Sequence, residues 1–218
     1  MSALSIAAAV IIWVSMPAVS AAATVAVAAY NSKGKAVTNA VIAVLPAGTV
    51  SARAVPGEAE IDQKDKEFIP HVTPVGMGTK VYFPNSDNIR HHVYSFSEAK
   101  TFEIPLYQGT PAEPIVFDKP GVVVLGCNIH DWMSAYVFVT DTPYFSVTGD
   151  DGAARINDLP AGSYTVTVWH PRIQGEANPA EHHVTLSQDD SVDLTFEIEE
   201  KQQWKARRVS PGIRGGYR

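Results

Sequence analysis

Val122-Val123-Val124-Leu125-Gly126-Cys127-Asn128-Ile129-His130-Asp131-Trp132-Met133-Ser134-Ala135-Tyr136-Val137-Phe138-Val139 is the most informative run of this 218-residue chain. Apolar, β-branched residues on both sides predict two strands, and the seven residues between them predict a short connecting loop. That loop carries a thiol, an imidazole and a thioether as Cys127-x2-His130-x2-Met133. Soft sulfur ligands together with imidazole select copper over hard cations, and a trigonal plane of two His and one Cys with a weak axial Met is the ligand set of a blue-copper electron-transfer site. The loop supplies one histidine of the two. The second must come from a distant strand, and Asn85-Ser86-Asp87-Asn88-Ile89-Arg90-His91-His92-Val93 offers a pair of candidates, His91 and His92. Neighbouring residues of a strand point to opposite faces, so only one of the pair can join Cys127. Zinc held by Cys127, His91 and His130 is the alternative on affinity alone.

Working outward, period-2 alternation recurs after residue 23, at Val25 and Val27, Val81 and Phe83, Tyr164, Val166 and Val168, and Leu194, Phe196 and Ile198. No stretch there sustains a helical apolar stripe, so the expected fold class is all-β. Turn residues separate the strands at Asn31-Ser32-Lys33-Gly34, Pro84-Asn85-Ser86-Asp87, Lys119-Pro120-Gly121, Asp150-Asp151-Gly152 and Leu159-Pro160-Ala161-Gly162.

Composition narrows the function classes. The chain is 45% hydrophobic and 18% charged, which fits a folded protein rather than a disordered one. Its single cysteine excludes an intramolecular disulfide and, by itself, a zinc finger or an iron–sulfur cluster. Residues 1–23 hold no charged side chain; Ile6 to Val14 form a short apolar core before Pro17 and a run of small residues, the pattern of a secretory signal peptide with cleavage near Ala21 to Ala23. No Lys or Arg precedes the apolar core, so an uncleaved anchor is the alternative. Export puts the protein in the periplasm or otherwise outside the cytoplasm, where a free thiol is a liability and metal binding as thiolate removes it. The formal net charge of −6 is uneven, because residues 201–218 carry six Lys and Arg and no acid, leaving −12 on residues 1–200. A basic, disordered tail is expected there, solvated or touching an anionic membrane surface or an acidic partner. Nucleic acid is not an expected partner of an exported, acidic body.

With these residues in view, 57–141 resembles a cupredoxin, and the Cys127-x2-His130-x2-Met133 spacing is similar to the tight loop of amicyanin. The wider string, from Phe68-Ile69-Pro70-His71 through His91-His92-Val93-Tyr94-Ser95-Phe96-Ser97 and the loop to Val168-Trp169-His170-Pro171, is similar to cupredoxin-like proteins often labelled methylamine utilization proteins. The resemblance implies a Greek-key β-sandwich with one type 1 copper, held by His91, Cys127, His130 and Met133. It makes His91 the ligand and places His92 where the family commonly has Asn. It also implies a redox protein partner, electron exit through His130, and a docking patch formed by Ile129 and Trp132; Trp132 could equally be core. Gly126 and Asn128 flank the thiolate and could offer backbone N–H groups to its sulfur.

Residues 25–44, with 148–164, resemble a transthyretin-like, carboxypeptidase regulatory-like sandwich. The expected organisation is a signal peptide at 1–23, first strands of the flanking sandwich at 24–56, the cupredoxin at 57–141, the rest of the flanking sandwich at 142–200 and the tail at 201–218. In the competing arrangement the first strands complete the cupredoxin sheet and the last third stands alone as a second small sandwich. The expected role is a single-electron carrier and not an enzyme, since the remaining histidines (His71, His170, His182, His183) form no recognisable second copper set. The competing roles are copper binding and delivery, or carbohydrate or protein binding by the flanking sandwich.

Overall fold

The computed structural model describes residues 22–47, 53–111, 113–173 and 180–199, and among them every regular element is a strand. The predicted signal peptide, apart from Ala22 and Ala23, and the predicted tail lie outside the described residues. The chain opens with β1 (Ala23–Asn31) and β2 (Val41–Pro46). Ten strands follow: β3 (Glu58–Glu60), β4 (Asp62–Lys64), β5 (Glu67–Ile69), β6 (Val72–Gly76), β7 (Thr79–Tyr82), β8 (His91–Ser97), β9 (Lys100–Tyr107), β10 (Ile115–Phe117), β11 (Gly121–Gly126) and β12 (Ser134–Thr140). The last five are β13 (Phe145–Val147), β14 (Ala153–Leu159), β15 (Gly162–Trp169), β16 (Ala180–Leu186) and β17 (Ser191–Ile198).

Pairing sorts these strands into two sets. β1 lies between β14 and β17, and β2 between β13 and β15, with β16 beyond β15. The two sheets enclose one apolar core, in which Val25, Val27, Ile42 and Val44 from the start of the chain meet Ile156, Tyr164, Val166, Val168 and Phe196 from its end. The middle strands form their own layers: a five-stranded sheet in the order β6-β12-β11-β8-β9, a three-stranded sheet in the order β10-β7-β3, and the β4-β5 hairpin. Between them lies a second core containing Val81, Phe83, Phe117, Val123, Leu125 and Val137. Burial follows the alternation read from the sequence. Val25 and Val27 are buried between half-buried neighbours, and Val123 and Leu125 face inward while Val124 faces out.

The two bodies touch through β12. Trp169 at the end of β15 lies with its ring centroid 5.8 Å from Tyr136 and 5.5 Å from Phe138, on the outer side of the five-stranded sheet. The Thr142 hydroxyl donates to the Val44 carbonyl at 2.7 Å, fixing the chain as it leaves β12.

Candidate metal centre

The loop is closed by continuation of the β11–β12 ladder. Gly126 pairs with Ser134 at the end of the strands; the Cys127 N–H then reaches the Met133 carbonyl at 3.3 Å, and the Met133 N–H reaches the His130 carbonyl at 2.9 Å. The seven residues are thus pinned at both ends, which limits the motion of Cys127, His130 and Met133 relative to one another. Met133 is buried in the same core cluster as Cys127.

His91 arrives from the first position of β8. The β8–β9 pairing sets His91 opposite Tyr107 and Val93 opposite Ile104, so the extra residue of this register shift lies on β9 while β8 alternates regularly and sends the two histidines to opposite faces. His91, Val93 and Ser95 face the core with no exposed area, whereas the His92 ring lies on the opposite face of the sheet, buried and 5.6 Å from Tyr94.

His91 Nδ1 lies 3.9 Å from Cys127 Sγ, and His130 Nδ1 lies 3.8 Å from it. The ligand atoms of all three residues fall within 4.8 Å of one another, and no other such group of His, Cys, Asp and Glu occurs among the described residues. Metal–sulfur and metal–nitrogen bonds of about 2.3 and 2.0–2.1 Å in a trigonal plane imply sulfur–nitrogen separations of about 3.8 Å. The residues therefore fit a single ion bound in a His2Cys plane.

The orientation of His91 has a specific cause. Its Nε2 lies 2.7 Å from Asp87 Oδ2, and donating its N–H to that carboxylate leaves the Nδ1 lone pair facing the sulfur. Asp87 is itself fixed, because Oδ1 accepts the Asp65 N–H at 2.8 Å and Oδ2 accepts the Lys66 N–H at 3.0 Å. Those two donors come from the β4–β5 turn, where both residues take positive φ. Burial works against ionisation of Asp87, but the Lys66 N–H, the His91 ring and the Asp65 N–H outweigh it and hold the carboxyl below its usual range. Behind this turn, Asn85 Nδ2 donates to the Ile89 and Tyr107 carbonyls, and its side-chain oxygen accepts the Asp87 N–H. The Tyr107 hydroxyl is pushed up to about 12, chiefly by burial, and donates to the Phe83 carbonyl while it accepts from the Gln63 amide.

His130 stands at the surface end of the site. Desolvation, with the neighbouring His91 and Lys66, pushes its imidazole below the usual value, favouring the neutral form that a metal requires. Its ring is 5.2 Å from Trp132. Trp132 and Ile129 are about half exposed, which decides the choice between core and surface for Trp132 in favour of surface.

The remaining candidates sort as follows. His92 is buried, with Nε2 2.8 Å from Glu103 Oε1, and takes no part in the His91–Cys127–His130 group. Asn128 is exposed in the loop. A Cβ at Gly126 would lie 2.7 Å from Tyr94 Cζ and 2.8 Å from its hydroxyl, so the bare glycine lets the Tyr94 ring lie over the backbone next to Cys127. Asp87, Glu103 and Tyr94 were not singled out from the sequence. Asp87 stands four residues before His91 in the quoted run, but its role depends on a turn about twenty residues upstream. A direct check on the histidine pair is available: His92→Asn should retain metal affinity within about twofold in a competition titration, whereas His91→Ala, which removes one member of the His91–Cys127–His130 group, should lower it more than the roughly 10–100-fold typical of losing an outer partner.

No family model matches this chain, and no curated protein matches it. Among solved structures, it is similar over 38% of its length to a purple cupredoxin from Nitrosopumilus maritimus, at 23% identity and a TM-score of 0.34, covering 99% of that chain. It is similar over 47% of its length to a reduced Cu(I) form of an amicyanin variant, at 19% identity and a TM-score of 0.34, again covering 99% of that chain. A Cu-containing nitrite reductase from Thermus scotoductus SA-01 matches over 44% of this chain, at 24% identity and a TM-score of 0.36, and there the chain spans 25% of the enzyme's length. The case for a metal centre rests on the convergence of His91, Cys127 and His130 in this chain.

Proposed function

We propose that this protein is an exported, periplasmic carrier of single electrons with one type 1 copper held by His91, Cys127, His130 and Met133. The observation that carries this reading is the placement of two imidazole Nδ1 atoms at 3.9 and 3.8 Å from one buried thiol, which matches trigonal coordination. Copper bound there would supply a one-electron couple between Cu(II) and Cu(I). Fast transfer requires ligands that move little between the two states, and the residues provide that rigidity. Asp87 holds the His91 ring, the ladder contacts hold the loop, and Cys127 and Met133 are packed into the core.

His130 is the ligand nearest solvent, and the half-exposed Ile129 and Trp132 flank it as an apolar surface on which a redox partner can dock. Two copies of the protein meeting through this patch would bring their sites close together. Electron self-exchange between oxidised and reduced protein, measured by NMR line broadening, should therefore slow at least tenfold in Trp132→Asp and Ile129→Asp, with the visible spectrum unchanged. Unaltered self-exchange in both variants would remove this patch from the electron path.

The chain organisation belongs to the same reading. We take residues 57–141 as a cupredoxin inserted into a transthyretin-like sandwich formed by 24–56 and 142–200. Its support is that β1 and β2 pair with β13, β14, β15 and β17 and share their core, while the middle strands enclose another. The basic residues of 201–218 would add a contact to an anionic surface or an acidic partner.

A further inference from the structure

We propose that the flanking sandwich clamps the end of the loop that carries Met133: Trp169 and Arg172 back the His71 ring, and His71, a positioning residue, holds the Ser134 carbonyl beside Met133. This rests on the electron-carrier reading above, in which Met133 is the axial ligand, and gives the flanking sandwich a part in shaping the site. Two runs of sequence that the site leaves unused, Pro70-His71 and Trp169-His170-Pro171, come together here, with the His71 and Trp169 rings both packed against Tyr136 at 5.5 and 5.8 Å.

The backbone around Met133 calls for a second restraint. On the β11 side the Cys127 N–H reaches the Met133 carbonyl at 3.3 Å, beyond the usual range for such a bond. Antiparallel pairs alternate in bonding, so the next pair, Gly126–Ser134, turns its backbone groups away from β11, and those of Ser134 point toward β6. There His71 takes hold twice. Its Nδ1–H donates to the Ser134 carbonyl at 3.0 Å, and its own carbonyl accepts the Tyr136 N–H at 2.9 Å. A carbonyl oxygen can only accept, so Nδ1 carries the proton.

The flanking sandwich supplies the backing. Ala135 and Val137 are buried in the core of the middle strands, so Tyr136 and Phe138 face the other way, and Trp169 covers both. The turn after Trp169 is fixed from its own side: the Arg172 N–H donates to His170 Nδ1 at 3.3 Å, the Ile173 N–H donates to the His170 carbonyl at 3.0 Å, and Ile173 packs on the flanking core. Arg172 thereby stands close enough for its charge to act on the His71 ring. His71 is exposed, so a ring without this backing would exchange the Ser134 carbonyl for water. The clamp thus runs from Trp169 and Arg172 through His71 and Ser134 to Met133, whose thioether helps set the potential of the site.

Amide hydrogen exchange in the metal-free, full-length protein reads the clamp without copper. His71→Ala and Trp169→Ala should each speed exchange of the Cys127, Met133 and Tyr136 amides by about fivefold or more relative to Val123 in the same sheet. His71→Asn, whose side-chain amide can donate to the Ser134 carbonyl, should restore the slow rates. In the copper-loaded protein both alanine variants should raise the reduction potential, because a thioether held less firmly stabilises Cu(II) less. The double variant should shift exchange and potential no further than the larger single one, since both substitutions break the same chain of contacts. Unchanged loop exchange in either alanine variant would overturn the proposal, as would additive effects in the double variant. Acceleration spread evenly over β11 and β15 would also overturn it, by showing a general loss of stability, and an unchanged potential despite faster loop exchange would sever the link to Met133. Absence of the visible thiolate band in the unmodified protein would instead count against the electron-carrier reading and leave the exchange result standing, so the two failures are distinguishable.

Discussion

Replacing Cys127 by serine is expected to abolish the intense visible thiolate-to-copper band and to weaken copper binding more than about 100-fold, beyond the 10–100-fold typical of losing an outer partner. The thiol lies 4% exposed, between two imidazole nitrogens at nearly equal distance. A thiolate is a soft, deprotonated ligand, whereas a serine hydroxyl remains protonated at neutral pH and offers a hard oxygen. Serine is nearly isosteric, so the fold should survive, with a cost of about 1–3 kcal/mol for the buried hydroxyl that circular dichroism on heating would read. Copper titration followed by absorbance checks the main effect. A retained band in Cys127→Ser would show that another residue provides the charge-transfer donor.

The second large effect is expected at Asp87. In Asp87→Ala the His91 Nε2–H, which is wholly buried, loses its acceptor, as do the N–H groups of Asp65 and Lys66. A buried donor left unsatisfied costs about 1–3 kcal/mol, and loss of a carboxylate that orients a metal-binding histidine typically lowers metal affinity about 10–100-fold. The carboxylate also makes the imidazole a better donor, which favours Cu(II). Its removal should therefore raise the reduction potential. Asp87→Asn separates orientation from charge, because its side-chain oxygen can still accept the His91 N–H. That variant should recover most of the affinity while keeping a raised potential. Equal affinity in Asp87→Ala and the unmodified protein would mean that packing alone orients His91.

The strands and the Cys-His-Met loop were legible because both are local. Alternation of apolar residues marks a half-buried strand without knowledge of its partner, and Cys127-x2-His130-x2-Met133 lies within one turn between strands whose apolar character is plain. The separation of His91 from His92 was legible for the same reason, since neighbouring strand residues face opposite ways. The sequence did not show what holds those histidines. Asp87 is held beside His91 by two N–H groups of the β4–β5 turn, and Glu103 meets His92 because the β8–β9 pairing sets it opposite Tyr94, the next residue of β8 on the His92 face. Gly126 was read as a possible hydrogen-bond donor beside the thiolate, whereas its structural consequence is the space it leaves for Tyr94. Each of these depends on contacts between segments far apart in the chain, where turn geometry and register decide the outcome.

The most direct test of the electron-carrier account is spectroelectrochemical titration of the copper-loaded protein, with free copper monitored throughout. The predicted result is one reversible one-electron transition per chain, in which the visible band bleaches and returns while copper stays bound to His91, Cys127, His130 and Met133. Release of copper on reduction, or binding of Cu(II) without the thiolate band, would contradict it and would point instead to copper storage and delivery.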